Sequence, residues 1–255
     1  MADGVQRGSV DGVLLIDKPA GMSSHDVVAA VRRSLPRTPG ERATRVGHAG
    51  TLDPFATGLL LVLVGKATKA QSALMALPKR YETLAQLGAI SSTGDTEGEI
   101  TLTARQPPDP PELPTGEVRQ RPPIYSAVKI DGERAYKRAR RGESFQMPER
   151  VVTVHRFEQL WRDPHVPSGV EPSGQPPRAA FAIECSSGTY VRSLIADLGD
   201  AYCLELRRTA IGPFEVEDAV APPARGQTWE QPPLLALDRA LELAAAARPP
   251  GGGAQ

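Results

Sequence analysis

The longest unbroken aliphatic run in this chain is Leu59–Val64, six residues bracketed by Gly58 and Gly65. That is the length of one buried strand, far below the roughly twenty apolar residues a membrane-crossing helix requires. Glycine and proline, 24 and 25 of 255 residues, cut the chain this finely; together they exceed the roughly 12% of ordinary usage. A core must therefore come from many short strands and brief helices, and the length suffices for one generous domain with a small appendage. Lys and Arg (30) balance Asp and Glu (30), so a polyanion can be held only by a local basic face. The N-terminus lacks a basic, apolar, small-residue series, so no membrane segment and a cytoplasmic location are expected. Cys185 and Cys203 lack CxxC spacing and read as buried or half-buried thiols. His25, His48, His155 and His165 show no ligand pairing, so no metal site is expected.

Gly12–Asp17 reads as a buried strand running into the turn Lys18-Pro19-Ala20-Gly21. A helix follows, capped by Ser23 or Ser24, with Val27, Val28, Val31 and Leu35 on one face and Pro36 ending it. Residues 37 to 58 form a long loop, Leu59–Val64 a strand, Ala67–Leu77 a helix and Arg80–Leu87 a strand. Ser91–Glu117 carries six acids (Asp95, Glu97, Glu99, Asp109, Glu112, Glu117) against Arg105 and reads as a solvated excursion. Val118–Arg150 reverses the balance with nine basic residues against four acidic ones. Within it Tyr125–Ile130 reads as a strand, Asp131-Gly132 as a tight turn and Glu133–Arg141 as a basic helix. Val151–Trp161 and Arg178–Cys185 alternate as antiparallel neighbours joined by a Pro/Gly-rich connector over 164–177. Thr189–Leu198 is a helix and Leu204–Ile211 a last strand; a linker, a helix over 234–247 and a Pro/Gly tail follow. The order of elements predicts an α+β fold around a mainly antiparallel sheet.

The string Arg45-Val46-Gly47-His48-Ala49-Gly50-Thr51-Leu52-Asp53-Pro54-Phe55-Ala56-Thr57-Gly58 holds the most chemical information. Its glycines allow close backbone approach, and Asp53 before Pro54 is confined to extended geometry, so a carboxylate stands on a stiff loop. An aspartate before proline ordinarily closes a turn with its own side chain, and a single loop histidine ordinarily does nothing more. The whole string, however, resembles the catalytic loop of the bacterial tRNA pseudouridine synthases of the TruB type. Gly12–Gly21 resembles the family's N-terminal Lys-Pro motif, Lys79-Arg80-Tyr81 its tyrosine-bearing strand, and Tyr125-Ser126-Ala127-Val128-Lys129 the segment after its RNA-gripping insertion. Cys185–Arg192 resembles the arginine motif and Leu206-Arg207-Arg208 the last active-site strand.

The resemblance implies the pseudouridine synthase fold, catalytic roles for Asp53, Tyr81 and Arg192, and substrate contacts from His48, Tyr190 and Leu206. Asp53 attacks the sugar or takes a sugar proton, Arg192 keeps it ionised, Tyr81 and Leu206 flank the flipped base, and His48 fills the gap the base leaves. Lys18 and Pro19 support the floor of the site. No cofactor is implied, because the isomerisation involves no net redox change. The implied substrate is the uridine at position 55 in the TΨC arm of tRNA, gripped by the basic insertion over about 107–150, with Arg138, Arg140 and Arg141 as candidate phosphate contacts. No obligate protein partner is implied, and a monomer is expected.

The chain departs from the family pattern at Pro107–Thr115, which stands where a helix is usual, and between Gly199 and Leu206, where it is shorter. A catalytic domain over 1–222 is expected, with 223–255 too short for the family's C-terminal RNA-binding (PUA) domain. Two alternatives remain. A non-catalytic tRNA-folding chaperone is opposed by the intact Asp53, Tyr81 and Arg192. An Asp-nucleophile glycosidase would need a second carboxylate, for which Asp17 and Asp26 are the nearest candidates.

Overall fold

In the computed structural model, which describes residues 11–36, 43–103, 105–126, 128–164, 176–229 and 233–247, the chain forms two compact units. One comprises Met1–Leu77 with Arg208–Gln255, the other Pro78–Arg207.

In the first unit, β1 (Gly12–Lys18) leads into α1 (Ser24–Ser34). Ser23 is its cap: its hydroxyl accepts from the Asp26 amide at 3.1 Å, and the Asp26 carboxylate accepts from the Ser23 amide at 2.9 Å, a reciprocal capping box. Val27, Val28, Val31 and Leu35 are buried. Leu35 is already extended, as a residue before proline must be, so the helix stops there. β2 (Val46–His48) is a short strand inside the expected long loop, of which residues 37–42 lie outside the described residues. β3 (Thr57–Val64) carries the six-residue aliphatic run and pairs antiparallel with β1 (Lys18 opposite Gly58) and with β2 (His48 opposite Val62). Leu59, Leu61 and Leu63 pack into one core cluster with Leu74 and Phe214, and Leu60, Val62 and Val64 into another with Val27, Val28 and Val31, so the strand is apolar on both faces because both are covered.

The expected helix over Ala67–Leu77 is two shorter pieces, a 3₁₀ turn over Gly65–Ala70 and α2 (Gln71–Met75). Neither has a side-chain cap, and the Thr68 hydroxyl bonds the Gly65 carbonyl at 2.7 Å, competing with the helical ladder.

The second unit begins with β4 (Lys79–Leu87), β5 (Ala89–Ser91), β6 (Ile100–Leu102) and β7 (Gly116–Gln120). The expected strand over Tyr125–Ile130 shrinks to β8 (Lys129–Ile130). This pairs with β9 (Glu133–Arg134) across Asp131 and Gly132, whose φ angles of 51° and 85° are those of a tight hairpin turn. The basic helix, α3, spans only Ala135–Arg140. β10 (Arg150–Arg162) and β11 (Arg178–Cys185) are antiparallel neighbours, as their alternation predicts; 165–175 of their connector lies outside the described residues. β11 also pairs with β4, and β10 with β7, all antiparallel. The expected helix over Thr189–Leu198 is α4 (Val191–Ala196).

β12 (Ala201–Ile211) starts beside β4 in the second unit, and its residues from Arg208 onward belong to the first. β13 (Phe214–Glu215) folds back on it, and α5 (Leu237–Ala246) buries Ala240 and Ala244 against a cluster with Val13, Leu61 and Leu74. Cys185 and Cys203 are both buried and not joined in a disulfide. The architecture is α+β with a mainly antiparallel sheet.

Candidate active site

Asp53 is half-buried on the connection between β2 and β3, and the backbone on either side of it is held from below. The buried Ser24 hydroxyl accepts from the Leu52 amide at 2.8 Å and donates to the Leu52 carbonyl at 3.0 Å. The Pro54 carbonyl accepts from the Gly21 amide at 2.9 Å and from Lys18 Nζ at 3.2 Å. Lys18, fully buried at the end of β1, also donates to the carbonyls of Pro19 and Met22, at 2.8 and 2.7 Å. Arg208, 1% exposed, donates from Nε to the Leu59 carbonyl at 2.7 Å and from its two terminal nitrogens to Thr51 and Gly50, both at 3.2 Å. Such bonding satisfies the carbonyls of a tight loop and two buried cations together. His48 closes β2, half-buried, and its carbonyl accepts from the Gln71 side chain at 2.8 Å.

The remaining site residues lie in the second unit. Arg192, in the first turn of α4, is 3% exposed and forms a buried ion pair with Asp95 at 3.0 Å. It also donates to the carbonyls of Thr93 at 2.7 Å and Tyr125 at 3.1 Å. Asp95 in turn accepts from the Thr93 hydroxyl at 2.5 Å and the Glu97 amide at 2.9 Å. Gly94, at φ 76°, clears space for this pair, since a Cβ there would come 3.3 Å from that of Arg192. The solvated reading of Ser91–Glu117 holds for most of its described residues but not at Asp95, which the turn over 92–98 buries at 2% exposure because the carboxylate has a guanidinium to meet. Along the sequence Asp95 is merely one acid among six.

Tyr190, just before α4, is clamped by the buried Gln120 amide, which donates to its carbonyl at 2.8 Å and accepts from its amide at 2.7 Å. The Arg150 guanidinium lies 5.6 Å over its ring. Tyr81 sits on β4 opposite Ile183 of β11, and Leu206 on β12; both are nearly buried. Beside Arg192 a cavity of about 510 Å³ opens between Thr93, Pro122, Phe145, Met147 and Asp197, within the size range of ligand clefts. Desolvation in this wall pushes the Asp197 carboxyl above its ordinary value.

The basic segment is partly self-neutralised. Arg138 pairs with Asp131 at 3.2 Å and Glu143 at 2.8 Å, and Arg141 with Glu133 and Glu143, both at 2.7 Å. Hydrogen bonds from Arg141 hold Glu133 below the usual carboxylate range, and Arg141 with Arg138 does the same for Glu143. Arg140 instead lies 5.5 Å over the Tyr136 ring, and Lys137 is exposed.

The model of the TruB family pseudouridylate synthase N-terminal domain matches residues 38–191, which include Asp53, Tyr81 and Tyr190. A protein named tRNA pseudouridine synthase B from Corynebacterium aurimucosum is 40% identical over 253 residues, covering 94% of this chain and 79% of its own. Its namesake from Thermobifida fusca is 45% identical over 229 residues, covering 82% and 72% respectively. Among solved structures, a chain of a Cbf5-Nop10-Gar1 complex aligns with a TM-score of 0.55 at 31% identity over 82% of this chain; this chain spans about half, 52%, of its length. The α+β architecture is that of the pseudouridine synthases. Within that class, the chain belongs to the TruB family of pseudouridylate synthases.

Proposed function

We propose that this chain isomerises the uridine at position 55 in the TΨC arm of tRNA to pseudouridine, acting in the cytoplasm as a monomer without cofactor or protein partner. The observation that carries the proposal is Asp53 itself, in the family's loop string, with the residues on both sides of it tied to buried Ser24 and Lys18. The tRNA target follows from relatives named for it at 40% and 45% identity.

The reaction breaks the N1–C1′ bond, turns the base and joins C5 to C1′; the C5 proton leaves and N1 gains one, so no electrons are exchanged with an outside partner. Two routes start from the same ionised carboxylate: Asp53 attacks the sugar, or it removes a sugar proton. In either, keeping that carboxylate ionised is the part the family resemblance assigns to Arg192, whose guanidinium Asp95 holds in place. Tyr81 and Leu206 offer the everted uracil an apolar slot, with Tyr190 beside it, while His48 occupies the space left in the RNA. Lys137 and Arg140 are the cations of α3 best placed to exchange for phosphates, since Arg138 and Arg141 already hold carboxylates.

The test is to incubate unmodified tRNA transcripts with the purified chain and map pseudouridine, alongside a transcript with cytidine at position 55. Conversion confined to position 55, and absent from the cytidine transcript, is expected. Binding without conversion would hand the case to the chaperone reading, and conversion elsewhere would overturn the assigned target.

A further inference from the structure

Arg208 is a buried cation for which the steps above have no use. Among the described residues it faces no carboxylate within ion-pair distance; its partners are the carbonyls of Leu59, Thr51 and Gly50. A guanidinium surrounded by neutral acceptors is a costly way to fill a core, because an apolar side chain of similar volume would avoid the desolvation penalty. Its three acceptors, however, are distributed in a telling way. Gly50 and Thr51 lie just before Asp53, and Leu59 lies just after the loop has turned back into β3.

We propose that Arg208 is a positioning residue for Asp53, its planar fork tying the entry and exit legs of the aspartate loop to one rigid point. Ordinary side chains cannot do this. Lysine has one nitrogen on a flexible stem and cannot span carbonyls on both legs with fixed geometry. A second observation supports the tie independently. Gly58, at φ 104°, passes so close to β12 that a Cβ there would stand 2.2 Å from the Arg208 carbonyl oxygen. The exit leg is therefore pressed against the backbone of the same residue whose guanidinium holds the entry leg. Ser24 and Lys18 fix the residues flanking Asp53, whereas Arg208 fixes the distance between the two ends of the loop. A reacting group displaced by about 1 Å can lose 10²-fold in rate, so loosening this tie acts on the chemical step.

The inference rests on Asp53 being the reacting carboxylate. The experiment compares wild type, Arg208→Lys, Arg208→Met and Asp53→Asn on unmodified tRNA transcripts, reading kcat and KM separately and correcting for the folded fraction from thermal melts. Arg208→Lys is expected to lower kcat by about 10²-fold while KM for tRNA stays within about twofold. Amide exchange at Leu52 and Ala56 should quicken in both Arg208 variants, with β1 and β3 unchanged. If Arg208→Lys keeps the wild-type kcat while Asp53→Asn is inactive, the positioning role is wrong and the site stands. Activity lost only in proportion to folded protein overturns it equally. An active Asp53→Asn defeats the reading of the site itself, a result the exchange data leave separate.

Discussion

Replacing Asp95 by asparagine tests the buried ion pair that orients Arg192. The asparagine carbonyl oxygen keeps the bonds from Thr93 and Glu97, but its amide now faces the Arg192 guanidinium across 3.0 Å, donor against donor, where the two side chains are 3% and 4% exposed. Removing one partner of a buried pair typically costs roughly 3–5 kcal/mol. Arg192 retains its bonds to the Thr93 and Tyr125 carbonyls, which places the loss at the lower end, about 3 kcal/mol. At about 2–4 °C per kcal/mol for a chain of this size, the melting temperature should fall by about 6–12 °C in differential scanning calorimetry. Combining the change with Arg192→Met should cost less than the two single changes added, by at least about 1 kcal/mol. A fall of under about 2 °C, or strict additivity, would refute the reasoning.

Ser23→Ala removes the capping box of α1 and should cost about 1 kcal/mol in a urea titration; an unchanged midpoint would mean the cap bears no weight. Lys137→Ala and Arg140→Ala should each reduce the slope of log affinity for tRNA against log salt by about 1, whereas Arg141→Ala, already engaged with Glu133 and Glu143, should change it less. Glu133 and Glu143 have folded pKa values below the ordinary 4.5, so their pairs contribute fully above that value and lose their contribution as pH falls through the folded pKa. The protection of the Ala135–Arg140 amides, taken relative to their intrinsic exchange rates at each pH, should therefore fall as pH drops below 4.5 while that of β3 amides holds; equal behaviour of the two would contradict the pairing.

The parts of the fold written in local pattern were legible. Leu59–Val64 is apolar on both faces because alternate residues of β3 enter two separate core clusters, and Arg178–Cys185 alternates because one face of β11 is covered. Helix ends were legible where chemistry marks them, as at Ser23 and Pro36, and were overdrawn where nothing does, as in Ala67–Leu77 and Thr189–Leu198. Among the candidate residues, Asp53 and Arg192 stood out through family strings. Asp95 and Gln120 did not, and Arg208 entered only as the end of a strand motif with no part of its own, because each matters through partners distant in sequence. Arg192 is 97 positions from Asp95, Tyr190 is 70 from Gln120, and Leu59 is 149 from Arg208. Counting charges along a segment likewise misses that Arg138 and Arg141 spend theirs on neighbours brought close by the turn at Asp131-Gly132.

Release of tritium from a tRNA transcript carrying uridine labelled at C5 tests the role of Asp53 most directly, because C5 gives up its hydrogen only when it becomes bonded to the sugar. With bound tRNA matched between the two proteins, the wild type should release the label of a single uridine per tRNA and Asp53→Asn none. Release by Asp53→Asn at the wild-type rate would contradict the assignment of that carboxylate to the reaction.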